Sequence, residues 1–119
     1  MIVGLTFSLA AFAVAAVLGM LNACNLFRGR PEDTVLTLMH VASAVVGAVA
    51  AIIAFLSGAQ QVLINIVLVL LIAALGWTAY HRRRATGVVQ KPLILLHAGI
   101  AVACYLILAY NTAKILGLA

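Results

Sequence analysis

Two short polar segments hold six of the seven basic residues of this chain. Arg28 and Arg30 lie in one, and Arg82, Arg83, Arg84 and Lys91 in the other; Lys114 is the seventh. The rest is almost unbroken apolar sequence, in stretches at about residues 2–27, 34–56, 61–80 and 92–116. A helix of about 20 apolar residues reaches across the hydrocarbon core of a bilayer. With 67% hydrophobic and only 8% charged residues in a chain of 119, a soluble domain of this size has too little interior to hide its apolar surface. The expectation is therefore an all-α, integral membrane, four-helix up-down bundle, built as two tandem helical hairpins in a single domain over residues 1–119, with no room for a soluble module.

The breaks have their own chemistry. Arg28-Gly29-Arg30 ends the first span, and Pro31-Glu32-Asp33 reads as the start of the second, with proline in the first turn beside two acids. Ser57-Gly58-Ala59-Gln60 forms a tight turn, His81-Arg82-Arg83-Arg84 closes the third span at Tyr80, and Pro92 opens the fourth. The apolar stretch from Ile2 to Phe27 is longer than the core of a secretory signal and has no basic segment before it, so it reads as a retained span.

Cytoplasmic loops of membrane proteins carry an excess of Lys and Arg. That rule puts loops 28–33 and 81–91 in the cytoplasm and both termini on the outer side; for so compact a protein, a bacterial inner membrane is the expectation. Trp77 and Tyr80, beside the arginines, fit an interfacial belt, as does His81. The net charge of +5 is confined to loops that orient a membrane protein. It forms no basic face on a folded surface, so nucleic acid is not a partner. The lipid bilayer is one. Small residues, among them Ser43, Gly47 and Ala51 at four-residue steps, allow close helix approach within the bundle. Asn65 and Asn111 are placed to bond across helices, and Lys114 to snorkel to the outer interface. Cys24 and Cys104 lie at different depths, which disfavours a disulfide.

At an offset of 57 residues the second half lies on the first without a gap. Leu18-Gly19 meets Leu75-Gly76, and His40, Ala44 and Val45 meet His97, Ala101 and Val102. In a chain this rich in Ala, Leu and Val, chance alone gives roughly one match in ten. The identities therefore do not establish a duplication, and the repeat of hairpin architecture is the firmer expectation.

His40 and His97 are the informative residues. Each lies roughly 7–9 Å inside the start of a span that begins at the basic end, so the imidazoles share a depth and can face each other if their helices are diagonal. An ionisable residue within a span is costly and points to function. Two opposed imidazoles suit one iron. Ala44 and Ala101 leave the flanking faces low in bulk, and Gly19 and Gly76 sit at the same level. Arg28, Arg30, Arg82 and Arg83 are near enough in sequence to meet carboxylate groups.

In these features the chain resembles membrane b-type cytochrome subunits, in which histidines from two helices of a four-helix bundle clamp one haem. The resemblance implies haem b with His40 and His97 as its axial metal ligands, a slot formed by Gly19, Gly76, Ala44 and Ala101, and propionates held by the arginines. With both axial positions filled, electron transfer is the expected chemistry. The other half of the bundle has no histidine, so one haem is the limit.

Other readings stand beside this one. The histidines can be structural, bonding a backbone carbonyl or a local hydroxyl such as Thr37 or Ser43. A quinone or lipid site is a further reading, for which Asn22 and Asn25 supply polar groups near the same end. A third is a non-catalytic accessory subunit assembled with other membrane subunits or as a homo-oligomer. Enzyme readings fare worst, because the only acids are the adjacent Glu32 and Asp33, and no Ser-His-Asp set, phosphate loop or thiolate cluster is present.

Overall fold

Asp33 starts the second helix. Its carboxylate accepts the backbone N–H groups of Val35 and Leu36 at 2.9 and 3.1 Å, which satisfies donors that a helix leaves open at its first turn. The computed structural model describes residues 1–119 as four α-helices and no strands: α1 (Ile2–Phe27), α2 (Thr34–Leu56), α3 (Leu63–Thr86) and α4 (Lys91–Ile115). One 3-10 turn, Gln60–Val62, leads into α3. All four helices are long and apolar enough to cross a membrane, and the bundle measures 47 × 22 × 21 Å. Its length covers a bilayer of about 40–45 Å including headgroups. The chain is a multi-pass membrane protein.

The second helix spans Thr34–Leu56, matching the apolar stretch 34–56, with Asp33 as its cap and Pro31 outside it. One boundary differs from the sequence reading. The third helix does not stop at Tyr80 but continues through His81 and all three arginines to Thr86. Arginine is a good helix former, and cations in the last turn complement the negative end of the helix dipole. Gly87 stops the helix at φ 71°, a left-handed conformation that costs glycine little, and its N–H donates to the Arg83 carbonyl at 2.8 Å.

The hairpin partners α1/α2 and α3/α4 pack along most of their length, and α1 lies closer to α4 than α2 lies to α3. The diagonals are α1/α3 and α2/α4. The two hairpins repeat each other in contacts as well as in shape. The Ser8 hydroxyl donates to the Gly47 carbonyl at 2.8 Å, and 57 residues on the Asn65 amide donates to the Cys104 carbonyl at 2.7 Å. Gly4 lies against Ala54, where a Cβ would come within 3.2 Å of the alanine Cβ, and at the matching positions Asn111 donates to the Gln61 carbonyl at 3.2 Å. In each case the first hairpin uses the smaller side chain. That is why α1 and α2 approach more closely than α3 and α4 do.

Core packing is polarised along the bundle. Leu5, Ala54, Ala59, Val62 and Leu108 form a cluster at the end away from the arginines, backed by Leu9, Phe12, Phe55 and Ile115. In the basic half only Ala15, level with His40, and Ala79 are buried. The histidines lie in that more open half.

Candidate functional site

His40 and His97 stand on the diagonal helices α2 and α4, and their ring centres are 6.1 Å apart with the planes at 62°. Each ring is fixed by the helix before it. His40 Nδ1 meets the Ala15 carbonyl of α1 at 2.7 Å, and His97 Nδ1 meets the Ile72 carbonyl of α3 at 2.8 Å. Both pairs are 25 residues apart, and they coincide at the offset of 57. A carbonyl oxygen can only accept, so each Nδ1 carries a proton and the neutral ring keeps its lone pair on Nε2. Neither Nε2 has a protein partner. This is the tautomer in which imidazole serves as a metal ligand, with the other nitrogen oriented by a backbone acceptor.

Gly19 and Gly76 make that seating possible. A Cβ on Gly19 would lie 2.8 Å from His40 Cε1 and 2.9 Å from its Nδ1; on Gly76 it would lie 3.0 and 3.1 Å from the same atoms of His97. The glycines therefore admit the imidazoles themselves, whereas the sequence suggested room for a cofactor's edge. Ala44 and Ala101 lie one turn beyond the histidines, half-buried. Of the partners expected for a structural histidine, a neighbouring backbone carbonyl is the one each ring bonds, and Thr37 and Ser43 do not bond His40. No group of three or more His, Cys, Asp or Glu side chains comes together anywhere in the chain. A bare metal ion would thus find only two protein ligands here, too few for the closed four-ligand shell of a structural zinc site.

The arginines divide. Arg28, Arg30 and Arg82 are exposed at the end of the bundle. Arg83 turns inward to pair with Glu32 at 2.6 Å, the two side chains being only 13% and 16% exposed. That pair ties the α1–α2 loop to α3 on the wider side of the bundle. It continues inward, where the Thr37 hydroxyl lies 2.9 Å from Glu32 Oε1 and the Asn22 amide donates to Thr37 at 2.9 Å. Asn22 and Thr37 sit one turn from Gly19 and His40, towards the basic end. Sequence reading picked out Asn22 and Thr37 separately and did not connect them. Glu32 appeared there only as a helix-start acid, and nothing in its spacing from Arg83 marks the pair.

Asn65 and Asn111 do bond across helices. Cys24 and Cys104 are both free thiols. His81 is exposed and stacks against Trp77 with ring centres 4.2 Å apart, and Lys114 Nζ lies 5.6 Å from the centre of the Tyr110 ring. No protein-family model matches the chain, and neither does any curated protein or solved structure searched.

Proposed function

We propose that this chain is a b-type haem-binding electron-transfer subunit, with one iron held between His40 and His97. The observation that carries the reading is the 6.1 Å between ring centres. Two imidazoles sharing one iron would have their ring centres about 6 Å apart, given a metal–nitrogen bond of about 2.0 Å on each side. The donor set agrees. Two neutral imidazoles with free Nε2 lone pairs would hold the iron, and a porphyrin would bring the remaining nitrogen donors that this chain does not supply. When bound, such a group would exchange single electrons and offer no open position to substrate. The chain's own part is to hold both rings through the Ala15 and Ile72 carbonyls, so that neither can rotate away.

The positive-inside rule orients the bundle with Arg28, Arg30, the Arg82–Arg84 run and Lys91 towards the cytoplasm of a bacterial inner membrane, and with both termini outside. The redox partners are then other membrane subunits or quinone within the bilayer.

A reduced-minus-oxidised visible spectrum of the purified protein, with a pyridine haemochrome assay, tests the reading. Sharp b-type bands at about one haem per chain are expected. His40→Ala and His97→Ala should each lose the bands while the bundle still inserts. Colourless protein from haem-replete cells, or normal haem content in either variant, refutes the assignment.

A further inference from the structure

The internal repeat acts as a control that separates what the fold needs from what one half has added. At the offset of 57, His40 meets His97 and Gly19 meets Gly76, but Asn22, Thr37 and Glu32 meet Ala79, Ile94 and Val89. The second hairpin packs against its histidine without polar groups at these positions. The network on the first hairpin is thus not required to build the bundle.

Its bonding also has a direction. The Glu32 carboxylate, paired with Arg83, can only accept, as can the Asp33 carbonyl 3.1 Å from the Thr37 hydroxyl, so the one hydroxyl proton is directed to these two and Thr37 accepts from the Asn22 amide nitrogen. That fixes the Asn22 side chain and leaves Oδ1 as a free acceptor. Oδ1 is closed off from solvent and has no hydrogen-bond partner, a state it shares with Asn65 Oδ1 in the packed outer half, whose side chain is held by Cys104. An unmet buried acceptor is costly, and no packing demand explains it, because the repeat places an alanine there.

We infer that Asn22 Oδ1 is a subsite for a hydrogen-bond donor on the haem edge facing the basic end, and that the donor is a propionic acid group in its protonated form. The inference rests on the haem reading above. Arg83 already has its counter-ion in Glu32. The corner therefore offers an acceptor rather than net positive charge, and it selects the neutral acid over the carboxylate. Asn22, and not Arg83, is then the residue that distinguishes one porphyrin edge from the other.

The test titrates the full-length apoprotein in detergent with haemin and with haemin dimethyl ester, whose capped carboxyls cannot donate. Wild-type protein should prefer the free acid, and Asn22→Leu should lower the acid-to-ester affinity ratio by about three- to tenfold, the worth of one hydrogen bond. Thr37→Val keeps Asn22 but removes the hydroxyl that orients it, so it should lower the ratio too and serves if the leucine variant does not assemble. An unchanged ratio in both variants, with both porphyrins bound, overturns the subsite and leaves the haem site standing. Failure of wild-type protein to bind either porphyrin removes the haem reading and the subsite together.

Discussion

Alanine at Gly19 would put a methyl group where the His40 ring now lies, 2.8 Å from Cε1 and 2.9 Å from Nδ1. Carbon atoms at rest stand about 3.5–4.0 Å apart, so the ring must retreat by roughly 0.6 Å or more. It is not a loose end, because its Nδ1 is held at 2.7 Å from the Ala15 carbonyl. Retreat stretches or breaks that bond, worth about 0.6–1.7 kcal/mol between helices in a membrane. Forced overpacking adds about 1–3 kcal/mol. Against this, replacing glycine within a helix returns at most about 1 kcal/mol. The net expectation is a loss of about 1–3 kcal/mol. Gly76→Ala, with contacts of 3.0 and 3.1 Å, should cost less. Gly99→Ala meets nothing within 4 Å and should be neutral or mildly stabilising. Reversible unfolding in mixed dodecylmaltoside and SDS micelles measures the series, with haem content read on the same samples. Ligand bonds tolerate displacements of only about 0.2 Å, so haem retention should fall in the same order. If Gly19→Ala matched Gly99→Ala in both stability and haem content, the seating argument would be wrong.

Glu32→Gln leaves Arg83 without its counter-ion in a mostly enclosed position. It should destabilise the bundle by about 1–3 kcal/mol, less than a fully buried pair costs, with Glu32→Gln/Arg83→Gln costing less than the two single changes together in the same assay. Ser8→Ala removes the 2.8 Å bond to the Gly47 carbonyl and should cost about 0.6–1.7 kcal/mol. Gly47→Ala should cost more, since its Cβ would meet the Phe12 ring at 2.9 Å. In folded protein a maleimide should modify the exposed Cys24 and spare the buried Cys104 until the bundle is unfolded, as mass spectrometry will show. For the proposed orientation, Ser57→Cys should react with an impermeant maleimide on intact cells and Arg30→Cys only after lysis; the reverse pattern would invert the topology.

The helices were readable because lipid imposes a length and a composition that are visible residue by residue, and the charged breaks stand out against them. The shared depth of His40 and His97 was readable for the same reason, since each follows the start of its helix by a similar number of residues. A backbone carbonyl as their partner was legible as a kind of bond, but which carbonyl was not: the acceptors are Ala15 and Ile72, and every residue has a carbonyl, so the particular acceptor leaves no trace in the sequence. The Ser8–Gly47 and Asn65–Cys104 bonds are hidden in the same way. An arginine run suggests a loop by its charge, yet arginine is a good helix former, and α3 continues through it to Thr86. The pairing of Glu32 with Arg83 depends on which helices become neighbours, and that is settled only in three dimensions.

The offset of 57 gains force from this hidden layer. Identities between the halves are few enough for composition to supply them, yet two interhelical hydrogen bonds, one further interhelical contact position and one glycine–imidazole contact each recur at the same spacing. Composition cannot produce that agreement, because the residues involved differ: Ser8 matches Asn65, Ala15 matches Ile72, and Gly47 matches Cys104. What the halves share is the backbone path and the place where a side chain crosses to the neighbouring helix. Two hairpins that repeat each other this way bring His40 and His97 to equivalent positions near the axis relating them. A symmetric ligand held by two identical donors asks for that geometry, and the polar network of the first hairpin then gives the centre one distinct edge.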